Sequence, residues 1–136
     1  MRIWKTLLAG AAVAISFVGL AQACEFSADW SPMVHSSDGL KVALSKPDRG
    51  IKVSQRFDLE FAVCGVDDTK IDGIDVDAIM PAHKHGMNYR PIVTRLDEGR
   101  YKASGMLFHM PGEWQVIVDV LSEKSPQRHT LDLAVQ

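Results

Sequence analysis

Two histidines and two methionines fall within eight residues in Met80-Pro81-Ala82-His83-Lys84-His85-Gly86-Met87. Imidazole nitrogen and thioether sulfur form a soft to borderline donor set, and copper suits that combination better than other common biological ions. The segment holds no carboxylate, so Ca²⁺ and Mg²⁺, which take oxygen ligands, are poor candidates. Zinc would use the imidazoles and leave the thioethers idle. Methionine donors favour Cu(I), while imidazole accepts Cu(I) or Cu(II). If residues 82 to 86 are extended, His83 and His85 project to one side and Lys84 to the other. Met80 closes an apolar alternation and has core packing as its competing role. Met87, on a loop, has little packing rationale.

A second cluster, His109-Met110-Pro111-Gly112, follows the next apolar run. In strand alternation His109 and Met110 face opposite ways, so at most one meets the first cluster directly unless the turn at Pro111 reorients them. The expected ligands are therefore His83 and His85 as principal donors, Met87, Met80 and Met110 as thioethers, and His109 as an auxiliary imidazole. His35 and His129 stand alone and read as surface residues.

Other chemistries find little support. The chain has no G-x-S-x-G elbow, H-E-x-x-H helix or phosphate-binding glycine loop, so a non-enzymatic protein is expected. Asp72, Asp75 and Asp77 lie on an alternating segment and read as a solvated outer face, not as paired catalytic carboxylates. No basic patch interleaved with aromatics occurs, which excludes nucleic acid from the expected partners.

The elements that must position these residues alternate with period two. Leu40, Val42 and Leu44 share one face of a short segment; Phe57, Leu59, Phe61 and Val63 share one of the next; Ile74, Val76, Ala78 and Met80 follow. Pro91 to Leu96, then Tyr101 to Leu107, then Trp114 to Val120, then Leu131 to Val135 continue the pattern. Turn residues punctuate it at Pro47-Asp48-Arg49-Gly50, Asp67-Asp68, Pro111-Gly112 and Ser125-Pro126. About seven short strands in one domain predict an all-β fold, an immunoglobulin-like antiparallel β-sandwich.

The start of the chain reads as a secretory leader over residues 1–23. Arg2 and Lys5 precede an uncharged apolar run from Leu7 to Leu20, and Ala21-Gln22-Ala23 supplies an A-x-A cleavage site. Cleavage there predicts a periplasmic or secreted domain over residues 24–136, with no membrane span. Lipid anchoring at Cys24 is the lesser alternative. Without Arg2 and Lys5, 13 basic residues face 17 acidic ones, a net charge of −4. In an oxidising compartment Cys24 and Cys64, the only cysteines, are expected to pair. Such a bond would contribute up to about 4 kcal/mol. A thiolate ligand of blue-copper type is the rival role for one of them.

Met80-Pro81, His85-Gly86-Met87, Gly99-Arg100-Tyr101 and Met110-Pro111-Gly112-Glu113-Trp114, in that order, resemble the YtkA-like/FixH-like family of exported or membrane-anchored β-sandwich domains. The resemblance covers about residues 38 to 136. It implies an immunoglobulin-like sandwich and, through some relatives, a link to copper handling or to assembly of copper-containing respiratory oxidases. The chain departs from FixH-type members in lacking a clear retained membrane helix, and it adds His83. The expected function is copper buffering or delivery, with an envelope or respiratory-oxidase protein as a partner. A metal-free interaction module of the cell envelope is the alternative, and cupredoxin-like electron transfer a weaker third.

Overall fold

The computed structural model describes residues 30–31, 34–35, 39–45, 47, 50–65, 71–97, 99–123 and 126–136. The leader and Cys24 lie outside the described residues. Among the described residues nine strands form: β1 (Val34–His35), β2 (Lys41–Leu44), β3 (Arg56–Cys64), β4 (Ile71–Met80), β5 (His85–Gly86), β6 (Ile92–Asp97), β7 (Arg100–Leu107), β8 (Gly112–Ser122) and β9 (Gln127–Val135). They build two sheets, β1-β2-β3-β7-β6 and β5-β4-β8-β9, with every pairing antiparallel. Setting aside the two-residue β1 and β5 leaves seven strands in the order β2-β3-β7-β6 and β4-β8-β9. This is the ABED and CFG arrangement of the immunoglobulin sandwich, as the alternation predicts.

The two sheets meet through the inward half of each alternation. Trp114, Val116, Val118 and Val120 of β8 are buried, as are Val76, Ala78 and Met80 of β4. They face Leu59, Phe61 and Val63 of β3, Tyr101 and Ala103 of β7, and Leu40, Val42 and Leu44 in and beside β2 within one core. Burying a side chain of this size is worth about 1.5–3 kcal/mol, so the pattern fixes register: a slip of one residue would turn every inward side chain outward.

On the outer face, Asp75 pairs with exposed Arg90 at 2.9 Å, and Arg128 forks onto Asp119 at 2.8 and 2.7 Å. Asp72 and Asp75 are exposed, and Asp77 is spent on the Ala78 amide at 2.8 Å. The acidic stretch is a solvated face, as its spacing predicts. Cys64 is buried at the end of β3.

His129 departs from expectation. It is 1% exposed, on the inward face of β9 opposite Val118. Its place in the alternation with Leu131 and Val135 explains the burial, because a strand that packs one face takes whatever residue occupies the inward position. The Nε2 atom has no hydrogen-bond partner. Burial lowers the imidazole pKa below its usual value, opposed by the negative charge of Asp119. For His35 the structure describes only the backbone, paired with Lys41.

Candidate metal centre

β4 delivers the first cluster to one end of the sandwich. After Met80 the chain enters a 3-10 turn over Pro81–His83. Pro81 suits its first position, where a missing N–H costs nothing and a fixed φ is already helical. Lys84 then takes a left-handed conformation (φ 56°, ψ 34°), and its amide donates to the carbonyls of Met80 at 3.0 Å and Pro81 at 3.3 Å. This reverses the chain into β5, where Met80 opposes His85 and Ile79 opposes Gly86. The Met87 amide continues the ladder by donating to the Ala78 carbonyl at 2.9 Å.

Residues directly opposite in an antiparallel pair share a face of the sheet. His85 therefore lies on the inward side with Met80, and Met87 on the inward side with Ala78. The expectation of an extended 82–86 segment is thus corrected. The period-two relation joins His85 to Met87, whereas His83 belongs to the turn. His83 is exposed, and its ring centre is 5.8 Å from that of His85. Gly86 runs beside Ile79, where an added Cβ would sit 3.1 Å from the Ala78 carbonyl oxygen.

The second cluster arrives from the other sheet. Past the end of β7, Phe108 is fully buried, while His109 and Met110 are half-buried in the turn to β8. The Trp114 indole N–H donates to the Met110 carbonyl at 3.1 Å and fastens this turn. Gly112 (φ 128°) opens β8, and a Cβ there would come within 2.8 Å of the Met80 methyl. Both His109 and Met110 have left the strand, so the opposite-face rule does not apply to them. His109 meets His85 at 4.9 Å between ring centres, with an interplanar angle of 33°.

An aromatic floor supports the pair. Phe108 stacks on Trp114 at 4.4 Å, and Phe57 packs on Phe108 at 5.1 Å. Trp114 meets His85 at 6.0 Å and His109 at 5.5 Å in edge-on geometry. Trp114 is 0% exposed and holds both turns at once. In the sequence Trp114 both opens an alternating strand and closes the Met110-Pro111-Gly112-Glu113-Trp114 motif, and that motif is the signal tying it to the second cluster.

Two features bear on metal binding. His85 Nδ1 is buried and has no hydrogen-bond partner, a state that costs about 1–3 kcal/mol when nothing satisfies it. With metal–nitrogen bonds of about 2 Å and ring centres about 1.1 Å behind the nitrogens, two imidazoles on one tetrahedral ion stand about 5 Å apart. The His85–His109 separation of 4.9 Å fits that figure. Among the described residues, no group of three or more His, Cys, Asp or Glu side chains is placed to hold an ion.

The methionines divide by depth. Met80, 2% exposed, is a core residue whose methyl abuts Gly112. Met87 and Met110 are half-buried and pack against the core. Met87 thus has a packing role that its loop position did not suggest.

A cavity of about 370 Å³ lies at the opposite end of β4, lined by Ile71, Gly73, Ile74, Val93, Arg95 and Tyr101. Among the described residues, no helix is long and apolar enough to cross a membrane.

A family model described as YtkA-like matches residues 35–119. No curated protein matches the chain, and no solved structure does.

Proposed function

We propose that this chain, which belongs to the YtkA-like family, is a non-enzymatic copper-binding protein that buffers or delivers the ion in the cell envelope. One observation carries the reading. Two clusters distant in sequence bring His85 and His109 to 4.9 Å, with a buried, unpartnered nitrogen on His85. His85 and His109 form the inner imidazole pair. Met87 and Met110, beside them in sequence, are the thioether donors, and the sulfur favours Cu(I). Met80 supports them from the core, and His83 stands at the rim. The leader, a Cys24–Cys64 disulfide and delivery to a respiratory-oxidase partner belong to the same proposal.

Competition with a chromogenic Cu(I) chelator tests it. The mature protein should withdraw Cu(I) from the chelator, and His85→Ala and His109→Ala should each weaken retention by about tenfold or more. Retention that is weak and identical in all three proteins would refute the reading.

A second reading, a metal-free interaction module, draws on β6. That strand ends its sheet and exposes Ile92 (72%) and Leu96 (43%). An edge of this kind invites pairing with another chain. Protein that ignores Cu(I) yet binds an envelope partner, and loses that binding with Ile92→Lys, would favour it.

A further inference from the structure

We propose that His83 is the exchange ligand of this centre, the donor that receives the ion from a partner and releases it to one, and not a resident ligand. The inference rests on the copper reading and assigns a separate role within it.

The geometry separates His83 from the inner pair. His85 and His109 are half-buried, and His85 Nδ1 is shut off from solvent. An ion between them is walled by Trp114 on one side. Trp114 closes one approach to such an ion, and an incoming donor must come from another. His83 is the exposed imidazole beside it, 5.8 Å from the His85 ring. That spacing exceeds the roughly 5 Å of two imidazoles on one tetrahedral ion. His83 and His85 would thus hold an ion less closely than His85 and His109, with His83 as the exposed donor. Ring contacts run from His83 to His85 and from His85 to His109, so His85 links the exposed imidazole to the inner one.

The turn holds His83 at this station. Pro81 fixes the first residue of the 3-10 segment, and the Lys84 amide ties its end back to Met80 and Pro81. Release is a ligand exchange at Cu(I). A thioether or imidazole of the partner donates its lone pair to the ion as the bond from His109, and then that from His85, breaks. His83 holds the ion until the partner's second donor displaces it. Each broken bond returns its pair to the ring, and copper stays Cu(I). The partner is thus a protein presenting at least two soft donors on an accessible surface.

Two measurements on the mature protein test this: equilibrium Cu(I) retention against a chromogenic chelator, and stopped-flow transfer of Cu(I) to an excess of that chelator. His83→Ala should keep retention within about threefold of the parent, while transfer slows by about tenfold. Because the equilibrium is unchanged, loading must slow by the same factor. Lys84→Gly, which keeps the left-handed turn, should alter neither. Retention lost in His83→Ala to the extent seen in His85→Ala would make His83 a resident ligand and overturn the proposal while leaving the copper reading intact. Retention and rate both equal to the parent would also overturn it. A parent protein that binds no Cu(I) removes the copper reading itself, and this proposal with it.

Discussion

Replacing His129 with leucine should stabilise the protein, although it removes a polar residue from a buried strand. The imidazole is 1% exposed and its Nε2 has no partner, so folding strips that atom of water and returns nothing. An unsatisfied buried group of this kind costs about 1–3 kcal/mol. Leucine in its place removes the cost and adds a repacking penalty below about 1.5 kcal/mol. The expected net gain at pH 7.5 is about 1 kcal/mol, or about 4 °C in Tm at about 2.1 cal/mol/K of unfolding entropy per residue.

A pH dependence accompanies it. Burial lowers the folded-state pKa of His129 below the usual 6.5. As pH falls through 6.5 the unfolded chain takes up the proton first, so the parent loses stability from there down to the folded pKa. The variant lacks that loss, and its advantage should widen below pH 6.5. Thermal unfolding of both proteins between pH 5 and 8, followed by circular dichroism, measures the two effects. A variant less stable than the parent at pH 7.5, or an advantage that stays constant across pH 6.5, would refute the reasoning.

Gly65→Ala should lower stability by at least about 2 kcal/mol in urea unfolding, since φ is +89° and a Cβ would run into the Gly39 carbonyl oxygen. Gly73→Ala, whose Cβ would meet only the Leu121 side chain at 3.6 Å, should cost less. Trp114→Ala, at the stack with Phe108 and 0% exposed, should cost about 3–5 kcal/mol, read as a fall in denaturant midpoint. A thiol assay on denatured, unreduced mature protein should find no reactive cysteine; two would refute pairing of Cys24 with Cys64 and restore the thiolate role.

The strands were legible because burial on one face of a sheet writes a period of two into the chain. Trp114, Val116, Val118 and Val120 could be placed inward before any coordinates. The same rule misled at residues 82–86, where a proline followed by a left-handed Lys84 turned the chain. A left-handed lysine leaves no trace in composition, so the spacing pairs His85 with His83 on one face, where the structure pairs it with Met87. His129 was misjudged for a related reason. Its polarity argued for the surface, while its position among Leu131 and Val135 argued for the core, and position won. His109 could be expected only as an auxiliary imidazole, and its approach to His85 could not be placed, because it depends on how the two sheets are set against each other.

That dependence has a kinetic consequence. His85 belongs to the hairpin leaving β4, and His109 to the crossing from β7 in one sheet to β8 in the other. The entropy of closing the intervening chain must be met before the two rings can face each other, and docking of the sheets meets it in the empty protein. The imidazole pair therefore depends on the docked sheets in the empty protein. An ion held between the rings would clip the same closure and so slow separation of the two sheets.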